Sequence, residues 1–332
     1  MIDRRQFTRL TAALAPALWA APGWAQAPQA SPPPLPGVAK IITGFPPGGT
    51  LDALARRVAE RMRDRYASTV LVDNKPGAGG QIGILTLRDS PADGSTLLVT
   101  PSSMLSIYPY TYPKLRYSLD DLAPVSLGAM MDHGIAVGPG VPASVRTLAD
   151  FLAWASAHPT EANYGNPGAG SMPHMVGVLL SQMAKVELRS IPYRGTVPGV
   201  QDLLGGQIPA FWGPIGDYLQ HIKPGTLRVL ATAGARRSPF LPQVPTLQEL
   251  GYPLKVHEWY GFFLPRKASP ETVQRASEAL RAGLAHPEVI EYGKQYGLEV
   301  RSSTPAELGQ MLRADADQWR GLIRQTGFTA ES

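Results

Sequence analysis

Strand and helix patterns alternate along this chain, and that alternation limits its fold more than any other feature. A β-rich run at residues 38–43 precedes a helical pattern over 51–66, where apolar residues recur at helical spacing. A strand at 69–72, a helix at 80–88 and a strand at 96–99 continue the series. This order predicts an α/β fold with a mainly parallel, doubly wound sheet and ligand chemistry at the carboxyl ends of its strands.

The alternation begins again further along the chain. It predicts helices at 148–158, 172–184 and 197–204, and strands at 162–165, 188–192, 208–212 and 227–231. Helices at 270–284 and 305–325 each follow a Ser or Thr N-cap and a proline. Because these two helices have no strands of their own, we expect them to pack on the first unit. The sequence thus predicts a discontinuous first domain, residues 38–137 plus 233–332, and a second domain, residues 138–232.

The N-terminus is typical of an export signal. Residues 1–27 combine a basic start, a short apolar run and small residues around Ala25 and Ala27. Two adjacent arginines resemble the twin-arginine signal, and an ordinary secretory signal is the alternative. We expect cleavage near Ala25 or Ala27, then a Pro-rich tether at residues 28–37, and a periplasmic location.

Composition excludes several classes of function. The 332 residues include no cysteine, which removes thiolate metal sites, iron–sulfur clusters and thiol nucleophiles. None of the six histidines pairs at i, i+4 spacing for a metal. A net charge of +5 is too small and dispersed to indicate nucleic-acid binding. We therefore predict no metal, no cofactor and no nucleic-acid partner.

Glycine-rich loops precede several of the predicted helices. The loop at residues 44–52 lies between a strand and a helix, where backbone N–H groups and the helix dipole attract an anion. No Lys-Ser/Thr follows its glycines, so it is not a Walker A loop. For a single loop, a simple strand-to-helix connection that binds no ligand is an equally good interpretation. Similar loops recur at 77–83, 168–174 and 193–196, which favours a cleft for a ligand with a carboxylate at one or both ends.

An enzymatic alternative rests on Ser171 and His174, which could form a nucleophile and base in a secreted hydrolase or transferase. The segment lacks the glycine two residues after the serine that a hydrolase elbow needs. We expect His174 to brace the loop instead. The aromatic run at residues 258–263 is interpreted as core or hinge packing, with Trp259 near enough to a domain crossing to reach the cleft.

Seven motifs in order resemble one protein family. They are Phe-Pro-Pro-Gly-Gly-x-x-Asp (45–52), Asp-Asn-Lys-Pro-Gly-Ala-Gly-Gly-x-Ile-Gly (73–83), Ala-Asp-Gly-Ser-Thr-Leu-Leu (92–98), Gly-x-Gly-Ser-x-x-His (168–174), Pro-Tyr-Arg-Gly (192–195), Asp-Leu-Leu-Gly-Gly (202–206) and Leu-Pro-x-Val-Pro-Thr-x-x-Glu-x-Gly (241–251). The chain resembles the Bug-type extracytoplasmic solute receptors, which are the binding proteins of tripartite tricarboxylate transporters. Any one motif is weak, but the ordered set is specific and covers residues 38–325.

The resemblance implies a two-domain periplasmic binding protein of the type II-like Venus flytrap kind, without catalysis. It implies a small carboxylate ligand, a monomer, and inner-membrane transporter subunits or a sensor as partners. The loop from Phe45 to Thr50 would hold one carboxylate through backbone N–H groups and water, while Asp52 braces the loop. The family usually has lysine where this chain has Arg194, so contacts there are expected to differ.

The candidate ligand-binding residues lie in these loops and just after the strands. They are Phe45, Pro46, Pro47, Gly48, Gly49, Thr50, Asp52, Gly83, Ser102, Ser103, Gly170, Ser171, His174, Tyr193, Gly195, Thr196 and Asp217. Asp217 either receives an amine or hydroxyl of the ligand or caps a helix; the sequence favours neither.

Overall fold

The computed structural model describes residues 33–222 and 225–329. The predicted signal peptide, its cleavage positions and the first part of the predicted tether lie outside these residues. Within these ranges, no helix combines the length and the apolar character that crossing a bilayer requires.

Eleven strands carry the fold within the described residues. They are β1 (Leu35–Thr43), β2 (Ala67–Asn74), β3 (Thr96–Pro101), β4 (Leu122–Met131), β5 (His133–Val137), β6 (Asn163–Asn166), β7 (Arg189–Pro192), β8 (Ala210–Pro214), β9 (Arg228–Thr232), β10 (Glu258–Pro265) and β11 (Leu298–Val300). β1 begins three residues before the expected start at Val38, because Leu35 already pairs with Ala67 and its N–H donates to the Tyr66 carbonyl. The end of the predicted tether is therefore strand.

The helices of the same ranges alternate with these strands. They are α1 (Thr50–Met62), α2 (Gln81–Arg88), α3 (Ser103–Ser106), α4 (Tyr108–Thr111), α5 (Leu148–Ala157), α6 (Met172–Ala184), α7 (Thr196–Leu204), α8 (Leu219–Ile222), α9 (Pro270–Leu284), α10 (Pro287–Gln295) and α11 (Pro305–Thr326). Short 3-10 turns occur at Ala78–Gly80, Leu119–Asp121 and Ile215–Asp217.

The strands form two sheets. One has six strands in the order β11-β4-β10-β3-β1-β2, and the other has five in the order β7-β6-β8-β5-β9. We call the residues packed around the six-stranded sheet the first lobe and those around the five-stranded sheet the second lobe. The α/β class is confirmed, but the sheets are mixed rather than mainly parallel. Only β1 with β2 and β3, and β6 with β7 and β8, pair in parallel.

Every antiparallel pair includes a strand that lies beside one of the two crossings between lobes, namely β4, β5 or β10. β4 leads directly into β5 at the first crossing, and β10 returns the chain to the first sheet after the second. The direction of these strands is therefore set by the crossings and not by a βαβ unit. The first crossing lies at Asp132, because β5 pairs with β8 and β9. This precedes the expected boundary after residue 137.

The second crossing lies just before Glu258, well after the expected boundary at residue 232. Thr232 bridges to Thr246, and the Val256 N–H donates to the Ala233 carbonyl. Leu247 and Leu254 belong to the hydrophobic core of the second lobe. The segment 233–257 contains no regular helix or strand, so periodicity could not assign it to a lobe.

Helix α11 packs on both lobes. Leu308 and Leu312 lie in a first-lobe core with Phe263, whereas Trp319 and Ile323 lie in the second-lobe core. This differs from the expectation that the last helices pack only on the first unit. Trp259 is fully buried and its indole N–H donates to Asp315 Oδ2 at 2.6 Å. Trp259, Phe262 and Phe263 are therefore core residues, and Trp259 does not reach the cleft.

Candidate functional site

A cavity of about 60 Å³ lies between the two lobes. It is lined by Phe45, Pro46, Gly49, Thr50, Leu51, Asp52, Pro101, Ser103, Met104, Met131, His133, Pro167, Ser171, Pro173, Thr196, Val197, Pro214, Asp217, Glu258 and Tyr260. Nine of the seventeen candidate residues are in this lining, and they come from both lobes.

Three helices direct their N-termini at this cavity: α1 from the first lobe, and α6 and α7 from the second. None of the three has a side-chain cap on its first turn. By contrast, α5, α9, α10 and α11 begin elsewhere and are capped by Thr147, Ser269, His286 and Thr304. The shorter helices α2, α3 and α4 also lack a side-chain cap. Uncapped N–H groups and the positive end of the helix dipole attract an anion. The arrangement suits a carboxylate between the lobes.

The loop before α1 is held from within by Asp52. Its Oδ2 accepts from the Gly48 N–H at 3.1 Å and from Arg56 Nε at 2.8 Å, and its Oδ1 accepts from Asn74 Nδ2 at 2.9 Å. Burial alone would raise the pKa of Asp52, but the hydrogen bonds from Arg56, Asn74 and Gly48 outweigh it and lower the pKa. Gly48 has φ +97°, which favours glycine at that position. Asp52 therefore braces the loop as an ionised carboxylate, as expected.

A buried polar cluster joins the lobes at the hinge. Both the N–H and the hydroxyl of Ser103 donate to Glu258 Oε1. The Met172 N–H at the start of α6 donates to the Ser103 hydroxyl at 3.2 Å, so this serine connects the second lobe to the first. His133 Nε2 lies 3.1 Å from Glu258 Oε2 as a close contact between two buried side chains. The Ser103 hydroxyl, expected to serve a ligand, is thus already engaged.

Sequence reasoning did not identify Glu258, His133 or Tyr260 as site residues. All three are brought to the cavity by β5 and β10, the strands that begin at the crossings. The only local signal in the sequence was Glu258, an acidic residue at the start of a run of aromatic residues. The Tyr260 hydroxyl lies 2.6 Å from the Thr50 hydroxyl and holds the start of α1.

Asp217 lies in the 3-10 turn after β8 and faces the cavity. The residue is partly buried, but its Oδ2 atom is fully buried and has no hydrogen-bond partner among the described residues. Burial raises the pKa of Asp217 to about 7, although the Thr50 backbone N–H and the Thr196 hydroxyl oppose that rise. One oxygen of this carboxyl group, Oδ2, is therefore an unsatisfied acceptor buried beside the cavity.

Six candidate residues line no cavity in the described structure. Pro47 and Gly48 are exposed at the tip of the loop. Gly83 supports the loop from behind, since a Cβ there would lie 2.9 Å from the Gly44 Cα. The Ser102 N–H donates to the Trp259 carbonyl at 2.9 Å. Gly170 and His174 contact each other, as described next.

Ser171 and His174 do not form a catalytic pair. The Ser171 hydroxyl donates to the Gly168 carbonyl at 2.6 Å, and His174 Nδ1 accepts from the Gly170 N–H at 2.8 Å. Burial lowers the pKa of His174 to about 4, so the ring is neutral at neutral pH. His174 braces the glycine loop, as expected from the sequence.

A second, open groove of about 480 Å³ adjoins the cavity. It holds the two remaining candidates, Tyr193 and Gly195, and its polar rim includes Lys114, Arg116 and Arg194. The Tyr193 hydroxyl donates to Asp202 Oδ2 at 2.9 Å. A Cβ on Gly195 would lie 3.1 Å from Pro46 Cδ, so the lobes meet at this point and separate the groove from the cavity.

No group of three or more His, Asp or Glu side chains within residues 33–222 and 225–329 is placed to hold a metal ion.

Comparisons with known proteins identify the family of this chain. The family described as "Tripartite tricarboxylate transporter family receptor" matches residues 54–328. The chain is 32% identical to BugT of Bordetella pertussis over 291 residues, covering 87% of this chain and 89% of BugT. It superposes on the periplasmic binding protein BugD with a TM-score of 0.83 and 29% identity, covering 90% of this chain and 100% of BugD. It superposes on MatC of Rhodopseudomonas palustris, solved with bound malate, with a TM-score of 0.81 and 25% identity, covering 87% and 99%. The chain belongs to the tripartite tricarboxylate transporter receptor family, a family of two-domain periplasmic solute-binding receptors.

Proposed function

We propose that this protein captures a small carboxylate in the cavity between its lobes and closes around it. One observation carries the proposal. Three helix N-termini without side-chain caps, contributed by both lobes, meet at a single cavity. The carboxylate oxygens would accept hydrogen bonds from the first-turn N–H groups of α1 and α7, near Thr50 and Thr196.

Closure follows from the division of these donors between the lobes. A ligand shifts an open–closed equilibrium only when it binds the closed form better, and only the closed form presents both sets of N–H groups. Contacts across the cleft support that form, including the Tyr112 hydroxyl donating to the Ala169 carbonyl at 2.8 Å. We propose hinges at Asp132 and near His257, where the chain crosses between the two sheets.

The ligand class is supported by the malate bound to MatC, which shares this fold at 25% identity. We propose no catalysis in the cavity, because the Ser171 hydroxyl and the His174 ring are both engaged in holding the loop. We propose that the chain acts as a monomer in the periplasm after cleavage near Ala25 or Ala27. It would pass its ligand to the membrane subunits of a tripartite transporter or report it to a sensor.

The test removes a single N–H donor. Thr196→Pro deletes the N–H at the first position of α7, where proline is compatible with a helix. Thr196→Val keeps that N–H and the β-branched shape, and it is the matched control. Carboxylate binding, measured by calorimetry and by the rise in melting temperature, should fall at least about tenfold in Thr196→Pro and only slightly in Thr196→Val. Failure of the wild-type protein to bind any member of a broad carboxylate panel would contradict the proposal.

A further inference from the structure

Helix α11 carries the end of the chain onto the second lobe. Past the helix, Gly327 has φ +63° and turns the backbone, and Phe328 packs against the second-lobe core. The Phe328 N–H donates to the Thr326 hydroxyl oxygen at 3.1 Å. The Thr326 carbonyl accepts from Gln182 Nε2 of α6 at 3.3 Å. The end of the chain is therefore attached to α6, a helix that begins at the interlobe cavity.

Phe328 contacts a side chain that braces one of the cavity loops. The centroids of the Phe328 and His174 rings lie 4.6 Å apart, and the interplanar angle is 83°, which is a favourable edge-to-face geometry. His174 Nδ1 accepts from the Gly170 N–H at 2.8 Å. Nδ1 can accept that hydrogen bond only while the ring keeps its orientation, and packing against Phe328 fixes this orientation.

The braced loop leads directly into the wall of the cavity. Ser171 and Pro173 line the cavity at the start of α6, and the Met172 N–H between them donates to the Ser103 hydroxyl at 3.2 Å. Phe328 is not among the lining residues. Any effect of Phe328 on the site therefore passes through His174 and the loop.

We propose that Phe328 is a positioning residue for ligand binding, because it holds the His174 ring against the Gly170 N–H and so fixes loop 168–171 at the start of α6. This inference rests on the proposed function, since it assigns the end of the chain a role in the same site. It differs from a contribution to core stability alone, because it acts through one hydrogen bond in the loop.

Phe328 also shields the His174 ring from water, which makes the positioning role sensitive to pH. Burial lowers the pKa of His174 to about 4, and a protonated Nδ1 cannot accept from the Gly170 N–H. The titratable groups on the elements packed here are Tyr164 of β6, Tyr110 of α4, and Arg320 and Arg324 of α11. Among these groups there is no carboxylate that would favour a protonated ring. Removal of the Phe328 ring should therefore raise the pKa of His174 toward 6.5.

The first experiment needs no ligand. It compares Phe328→Ala with Phe328→Tyr, which keeps the ring, and with Leu322→Ala, which removes another apolar side chain that α11 packs on the second-lobe core. An NMR titration of the His174 ring should show protonation closer to pH 6.5 in Phe328→Ala alone. Hydrogen exchange of the Gly170 N–H at pH 5.5 should be at least about tenfold faster in that variant than in the other two. Equal exchange rates and equal titration midpoints in Phe328→Ala and Leu322→Ala would overturn the inference.

The second experiment measures binding to the full mature chain. Calorimetric titrations would use malate, succinate and adipate at pH 7.5 and pH 5.5. Phe328→Ala should weaken the tightest of these interactions at least about fivefold at pH 7.5 and by a larger factor, relative to the wild type, at pH 5.5. Phe328→Tyr should restore the affinity, and Leu322→Ala should change it less than about twofold.

A double-mutant cycle then tests the route through His174. In a His174→Gln background, Phe328→Ala should cause no further loss of affinity, because the side chain on which Phe328 acts is gone. The full loss in that background would overturn the inference while leaving a carboxylate receptor intact. If the wild type binds none of the three acids, the proposed function is contradicted for them, whereas the titration and exchange results still decide whether Phe328 positions the loop.

Discussion

Replacing Asp217 by asparagine should make the ligand-free protein more stable, by an amount that grows with pH. Burial raises the pKa of this carboxyl from 3.8 to about 7. For an acid, a higher pKa in the folded state means that the unfolded state loses its proton first, so the folded protein loses stability as pH rises from 3.8 to 7. Above that window the cost is constant. At about 1.4 kcal/mol per pKa unit it reaches up to about 4 kcal/mol.

Asparagine is neutral at every pH and has the same shape, so the variant avoids this cost. The difference in the free energy of unfolding between Asp217→Asn and the wild type should be about 1 kcal/mol at pH 4.5 and up to about 4 kcal/mol at pH 8. Urea unfolding of both proteins at the two pH values measures it, and other titrating groups cancel in the comparison. Asp317→Asn removes an exposed charge from a surface pair and should change little at either pH. A difference that does not change between pH 4.5 and 8 would refute the reasoning.

Three further predictions concern the groups that shape the cleft. Asp52→Ala removes three hydrogen bonds from a buried carboxylate, so it should lower the free energy of unfolding by about 2–3 kcal/mol. In the same urea titration, the control Lys294→Ala, which breaks an exposed ion pair with Glu291, should cost under about 1 kcal/mol. Equal losses in the two variants would contradict the bracing role of Asp52. The pKa of His174 is lowered to about 4, so its contribution to the free energy of unfolding is fully present above about pH 6.5 and is lost as pH falls from there to about 4. His174→Gln should remove about 3 kcal/mol of that pH dependence. An NMR titration of the ring that shows protonation near pH 6.5 would count against this. Gly216→Ala would place a Cβ 1.8 Å from the Tyr296 carbonyl oxygen across the cleft. It should therefore hold the lobes apart, enlarge the radius of gyration in X-ray scattering and weaken ligand binding at least about tenfold. The control is Gly321→Ala, whose Cβ meets open space on α11, and an unchanged scattering profile in Gly216→Ala would be inconsistent with this contact.

Local signals were sufficient for much of the fold. The bounds of α6 and α9 were predicted to the residue. A serine at the N-cap position and an early proline mark each start, although only Ser269 caps its helix with its side chain. Helix α1 ends at Met62 and not at Tyr66, since Arg63 leaves helical geometry with ψ 138°. Tyr66 is apolar at helical spacing yet reaches the core through the following turn, where its hydroxyl donates to the Gly94 carbonyl.

The strands beside the crossings were harder to predict. All five residues of β5 and all eight of β10 are buried, so these strands show no alternation of polar and apolar residues. Their pairing depends on strands far away in the sequence, such as β4 with β10 and β5 with β8. Long-range pairing of this kind leaves no periodic signal within a short window.

The candidate site, like the fold, could be predicted only in its local features. The glycine loops before α1, α6 and α7 were found because the chemistry of a helix start is local. His133, Glu258 and Tyr260 were missed because the hinge crossings, and not nearby sequence, bring them to the cavity. The choice between a ligand contact and a helix cap for Asp217 required knowledge of its burial, which only the structure provides.

The hinge cluster connects ligand binding to closure. Glu258 and His133 are the first residues of the strands at the two crossings, and Ser103 links Glu258 to the start of α6 in the second lobe. Any opening of the cleft separates the Met172 N–H from the Ser103 hydroxyl. The same region that lines the cavity therefore also contains the contacts that change when the lobes move.

A crystal structure of the protein with a carboxylate ligand tests the central claim most directly. The account predicts the carboxylate in the interlobe cavity, within hydrogen-bond distance of backbone N–H groups at the start of α1 in the first lobe and of α7 in the second. A ligand bound only in the groove beside Lys114, Arg116 and Arg194, or touching a single lobe, would contradict it.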